Sequence, residues 1–165
     1  MSFTRPSRGR RLRGKRLPCR LETASPSDGT HRGVIGGPPT QIRKHFRFEA
    51  AHVLPFHPGK CARMHGHSYR LEVAVRGPIQ SSGPARGMIE DFDAVERVVS
   101  DRVLSATDHH NLNDFIENPT VENVLFWIWE RLDRVLEGLD ELVLWETPAA
   151  CAVLRRGDTR APLSS

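Results

Sequence analysis

From Arg43 onward the chain alternates with a period of two, placing Phe46, Phe48, Ala50, His52 and Leu54 on one side and Arg47, Glu49 and Ala51 on the other. Successive side chains leave a strand on opposite faces, so this pattern predicts a half-buried strand over 43–54. Pro55, Pro58 and Gly59 break the run. A second alternation puts His65, His67, Tyr69, Leu71, Val73 and Val75 on one face and predicts a strand over 64–77. Gly77-Pro78 and Ser81 to Pro84 then form a turn-rich connection, after which the period becomes helical. Asp91 can cap a helix whose stripe is Phe92, Val95, Val98, Val99 and Val103, ending before Thr107. Thr120 can cap a second, carrying Val121, Val124, Leu125, Ile128, Leu132, Val135 and Leu139, with Gly138 near its stop. Strands over 141–147 and 149–156 follow, parted at Pro148. The order ββααββ predicts an α+β fold, an antiparallel four-stranded sheet with two helices on one face.

Residues 1–40 do not share this patterning. They are rich in Pro, Gly, Ser, Thr and Arg and offer few apolar side chains to offset the entropy of ordering. They are expected to be a basic disordered tail preceding a domain over 41–165. A nucleic-acid-binding arm and an Arg-rich organellar presequence are the alternatives for this segment. Charge follows the same boundary. The tail holds nine Lys/Arg against Glu22 and Asp28, so of the chain's formal +4 the remaining residues carry −3. A mildly acidic body presents no basic face for nucleic acid. With 165 residues, 38% of them hydrophobic and 27% charged, one globular core is expected. No apolar run approaches the roughly 20 residues that span a bilayer, and no apolar segment follows the basic residues as a secretory signal would require. Cys19, Cys61 and Cys151 are odd in number and form no CxxC pair, which points to a reducing, cytoplasmic setting.

His65-Gly66-His67 on a strand sets two imidazoles on one face about 6.7 Å apart, close enough to converge on one metal ion. Alone, the pair reads equally as two strand histidines satisfied by water or backbone. His52 changes that, because its strand would pair antiparallel with this one and bring a third imidazole. Three nitrogen ligands with a fourth position open describe a catalytic zinc site, and imidazole also suits other transition metals. His31, His45 and His57 lack this convergence. Cys61, four residues before His65 in the Pro/Gly loop, is placed to act as a thiolate base near the cation, or as a fourth ligand that would close the site. Asp108 reads as a helix C-terminal cap, or as the group that holds His109 in one tautomer for proton exchange. Glu146 reads as an ion-pair partner or a binding carboxylate.

Phe48-Glu-Ala-Ala-His52, Cys61-x-x-x-His65-Gly-His67-Ser-Tyr69, Gly87-Met-Ile-x-Asp91-Phe92, Asp108-His109-His110-x-Leu112-Asn113, Glu117-Asn-Pro-Thr120-x-Glu122-Asn123 and Glu146-Thr147 together resemble the 6-pyruvoyltetrahydropterin synthase family. The resemblance runs in order from about Arg43 to Gly157. It implies the tunnelling fold, assembly into homo-oligomers with active sites at subunit interfaces, and a pterin triphosphate substrate. It assigns His52, His65 and His67 to Zn2+, Cys61 to proton abstraction, Asp108 and His109 to a proton relay, and Glu146 to pterin binding and relay. The three-residue gap between Cys61 and His65 resembles the 6-carboxytetrahydropterin synthase subtype of queuosine biosynthesis. That subtype would convert 7,8-dihydroneopterin triphosphate to 6-carboxytetrahydropterin, releasing acetaldehyde and triphosphate. The pyruvoyl-type triphosphate lyase is the alternative, and a non-enzymatic oligomer binding nucleic acid through its tail is a reading of another class. The basic extension, the short loop between His52 and Cys61, and Trp145 before Glu146-Thr147 depart from the family pattern.

Overall fold

The computed structural model describes residues 38–160. The tail expected over 1–40 lies outside the described residues apart from its last three, and Thr40 already opens the first strand. Strands β1 (Thr40–His52) and β2 (His65–Gly77) pair antiparallel in unbroken register from Thr40 against Gly77 to His52 against His65. Strand β4 (Leu139–Thr147) pairs antiparallel with β2, and β5 (Ala150–Arg155) with β4. A two-residue strand, β3 (His110–Asn111), lies parallel to β1 at Ala50 and Ala51, giving a five-stranded sheet in the order β3-β1-β2-β4-β5. Four strands were expected. The fifth arises because His109 adopts φ 60° and turns the chain alongside β1, where its N–H donates to the Glu49 carbonyl at 2.6 Å.

Both helical regions pack on one face of the sheet. Helix α1 (Phe92–Val99) begins at Asp91, whose side chain accepts the Asp93 N–H, and buries Val95 and Val99. It does not run unbroken to Thr107. Ser100–Leu104 forms a π-helical turn, in which the Ser105 N–H reaches back to the Ser100 carbonyl, and α2 (Ser105–Thr107) completes the run. Helix α3 (Val121–Leu132) is capped by Thr120 and buries Val124, Leu125, Ile128, Trp129 and Leu132. Leu139, expected in this helix, instead opens β4. The helix stops at Leu132, leaving Val135 in the turns that follow, and Gly138, with φ 75° and its carbonyl accepting the Arg76 N–H at 2.8 Å, directs the chain into the sheet. These stripes close over Phe46, Phe48, Tyr69, Leu71, Val73, Leu142 and Leu144, with the Phe48 and Tyr69 rings stacked 4.9 Å apart. Burial of such apolar surface, at roughly 25 cal/mol per Å², is the main force holding helices to sheet.

The other face of the sheet is charged. Glu141, only 8% exposed, accepts from Arg43 and from Arg155, each at 2.6 Å, so a buried carboxylate is matched by two guanidiniums. The chemistry lies at the opposite end of the sheet, where β1 ends and β2 begins.

Candidate metal centre

The unbroken β1–β2 register sets His52 directly opposite His65, and the period of two brings His67 to the same face. The ligand nitrogens of the three rings all lie within 4.8 Å of one another. Two of the rings are held in a defined tautomer. His52, wholly buried, donates from Nδ1 to the Pro119 carbonyl at 2.8 Å, and His65 donates from Nδ1 to the Arg63 carbonyl at 2.8 Å. A carbonyl can only accept, so both Nδ1 atoms carry the proton and both Nε2 atoms offer lone pairs. These face each other at 3.1 Å. Two acceptors at that distance have no bond to make with each other and are complementary to a cation between them. Burial pushes the His52 and His67 imidazoles below the ordinary histidine range; in both, the neighbouring His65 adds in the same direction and Glu146 opposes. For His52, the Pro119 hydrogen bond opposes as well. Neutral imidazoles are the form that binds a metal, so the residues present fit such an ion.

Glu146, near the end of β4, places Oε1 3.7 Å from His52 Nε2 and 3.9 Å from His67 Nε2. Tyr69 underlies the cluster, its hydroxyl 3.5 Å from His52 Nδ1; burial, then the Glu146 carboxylate, pushes that hydroxyl above its ordinary range. Cys61 sits in a 3-10 turn (Lys60–Ala62) whose carbonyl accepts the Leu54 N–H at 2.9 Å, which ties the loop back to the end of β1. Its sulfur is not one of the clustered ligand atoms. Asp108 caps α2, and one carboxylate oxygen accepts the Glu49 N–H at 2.9 Å while standing 3.9 Å from His109 Nε2. At that length no hydrogen bond joins Asp108 to the His109 ring, which is 79% exposed. His109 nevertheless shares a cleft of about 470 Å³ with His67, Glu49 and Ser68. Among the described residues no hydrogen bond links Cys61 to Asp108 or His109. His45 stands 3.7 Å from Glu72 on the charged face, and His57 accepts the Gly59 N–H, so neither joins the triad.

The sequence model of 6-pyruvoyl tetrahydropterin synthase matches residues 41–157. The chain belongs to that family. It is an enzyme fold of the mixed α+β kind shared with solved members: the 6-pyruvoyl tetrahydropterin synthase of Caenorhabditis elegans superimposes with a TM-score of 0.64 at 28% identity, over 73% of this chain and 97% of that one. A 6-carboxy-5,6,7,8-tetrahydropterin synthase of Synechocystis is 39% identical over 115 residues, 67% of this chain and 89% of the relative. A dihydroneopterin monophosphate aldolase of Pyrococcus furiosus is 40% identical over 102 residues, 60% of this chain and 82% of the relative.

Two contributions to the geometry of the cluster were not assigned from sequence. Pro119 acts through its backbone carbonyl, which carries no side-chain signature. Asn113 holds the chain just beyond His52 from both sides, accepting the Val53 N–H at 2.7 Å and donating to the Val53 carbonyl at 2.9 Å. The polar run ending at Asn113 was visible; which backbone it would grip, 60 residues away, was not.

Proposed function

We propose that the chain is a zinc-dependent 6-carboxytetrahydropterin synthase acting on 7,8-dihydroneopterin triphosphate. The observation that carries the reading is the pair of tautomer-locked imidazoles, His52 and His65, meeting at 3.1 Å beside His67, in a chain of this family. Zinc held by His52, His65 and His67 would supply Lewis acidity toward the hydroxyls of the substrate side chain. Cys61 Sγ, in the loop that closes over the end of β1, removes a carbon-bound proton. His109 Nε2 returns one, with Asp108 fixing the backbone that presents it rather than the ring itself. The Glu146 carboxylate accepts the paired N–H donors of a pterin ring. Because Cys61 and the Asp108–His109 pair are unbonded within one protomer, the reading includes a homo-oligomer whose active site draws on more than one subunit. Purified protein given dihydroneopterin triphosphate is expected to release acetaldehyde and triphosphate; accumulation of the pyruvoyl compound instead would select the lyase alternative.

A second reading is favoured by the similarity to the Pyrococcus furiosus aldolase. An aldolase breaks a carbon–carbon bond and leaves the phosphate on the departing fragment. Dihydroneopterin monophosphate consumed with a phosphorylated two-carbon aldehyde released, and no turnover of the triphosphate, would decide for it.

A further inference from the structure

Arg47 of β1 and Arg70 of β2 are direct cross-strand partners on the face of the sheet turned away from the helices. Side chains so placed have Cβ atoms about 4.5–5.5 Å apart, and like charges at that separation destabilise a ladder. Other arginines of this face are matched to acids: Arg43 and Arg155 to Glu141 at 2.6 Å, and Arg76 to Asp140 at 2.8 Å. Arg70 reaches Glu72 at 3.3 Å. Among the described residues Arg47 has no carboxylate within ion-pair distance, and its neighbour Glu49 is engaged by the Ser68 hydroxyl at 2.8 Å. Opposite Arg70 on its other side stands Trp145, with the guanidinium 4.6 Å from the ring centroid.

Arg47, Arg70, Trp145, Ser68, Thr147 and Glu49 line a cleft of about 350 Å³. It holds two guanidiniums against one carboxylate, and N–H donors in excess of acceptors. We infer that this cleft binds a phosphoryl oxyanion, gripped between Arg47 and Arg70 with Trp145 as its wall. Guanidinium forks match the oxygens of phosphate, and such an anion cancels the cross-strand repulsion. The site lies on the sheet face opposite the imidazole cluster and does not rest on the reaction proposed above.

The test is calorimetric titration of the full-length, phosphate-free protein with two probes, inorganic pyrophosphate for a free anion and adenosine 5′-monophosphate for a phosphate ester. Saturable binding of at least one probe is expected, weakened about tenfold or more in Arg47→Gln. The tighter probe identifies the source of the phosphoryl group. In phosphate-free buffer at low salt, Arg47→Gln should unfold at a higher temperature than the parent, and the order should reverse once the binding probe is added. Equal affinity in parent and variant would overturn the inference, because the basic tail or the imidazoles would then hold the anion. So would the absence of saturable binding with both probes, or a loss of stability in Arg47→Gln without phosphate.

Discussion

Replacing His52 and His65 separately by alanine, beside Cys61→Ala, distinguishes a metal site from a set of packed histidines. His52 is wholly buried and its Nδ1–H satisfies the Pro119 carbonyl. His52→Ala therefore leaves a cavity and an orphaned carbonyl, which together cost on the order of 4 kcal/mol before any metal is considered. His65 is half-buried and its Nδ1 partner, Arg63, is exposed, so His65→Ala should cost only about 1 kcal/mol in metal-free protein. The metal adds its own increment. An ion present at a thousand times its dissociation constant stabilises the folded state by about 4 kcal/mol. For a folded body of this size that corresponds to roughly 12–20 °C in melting temperature. Thermal unfolding with EDTA and with added zinc, together with metal content by mass spectrometry, reads both terms. The parent should melt 12–20 °C higher with zinc than with EDTA. His65→Ala should lose that response while remaining folded, and Cys61→Ala should keep both the response and the bound metal. An EDTA-insensitive parent, a zinc response surviving in His65→Ala, or zinc lost in Cys61→Ala would refute the argument.

Other outcomes follow from the same geometry. Burial holds the His52 and His67 imidazoles below the ordinary value of 6.5, so the unfolded chain takes up protons that the folded metal-free chain resists. Metal-free protein should thus be unaffected by these groups above about pH 7 and lose stability as pH falls below 6.5, by up to about 1.4 kcal/mol per pH unit for each histidine, measurable by urea unfolding. His109→Asn, which tolerates the left-handed backbone at φ 60°, should unfold like the parent yet turn over substrate about 10²–10⁴-fold more slowly in steady-state assays. Asp108→Ala should cost about 1–2 kcal/mol in stability, since it strips the acceptor from the Glu49 N–H, and native-state hydrogen exchange should show that amide deprotected. In Gly138→Ala a Cβ would meet the Arg76 carbonyl at 2.5 Å with φ at 75°, and a melting temperature lowered by several degrees in circular dichroism is expected.

The first two strands were legible because their buried faces follow from a period of two, which also placed His65 and His67 together; antiparallel pairing brought His52 near them, while the register itself comes from the structure. Helix starts were legible through Asp91 and Thr120, whose side chains accept N–H bonds close to the chain. What was not legible depends on backbone atoms far apart in sequence. Strand β3 is two residues long and is held where the His109 N–H donates to the Glu49 carbonyl and the Glu49 N–H donates to the Asp108 carboxylate. Leu139 kept helical spacing with Leu132 and Val135, yet α3 stops at Leu132 and turns over 133–138, ending at Gly138, separate it from the helix. The π-helical turn was hidden because Val95, Val99 and Val103 satisfy an ordinary helical stripe up to the point where the ladder widens. In the site, side-chain spacing indicated the imidazoles, whereas the Pro119 carbonyl and the separation of Cys61 from His109 are facts of tertiary placement.

That widened turn fixes more than its own five residues. An ordinary helix advances about 100° per residue, so the additional residue accommodated over Ser100–Leu104 sets the angular phase of everything after it. In the phase observed, Thr107 is buried with its hydroxyl on the Val103 carbonyl, and Asp108 comes off the helix facing the edge of β1. Excising one residue from the turn would restore a regular ladder and swing Thr107 out of the core, carrying Asp108 and His109 around the axis with it. The proton-relay candidates are thus held in position by a miscount built into a helix.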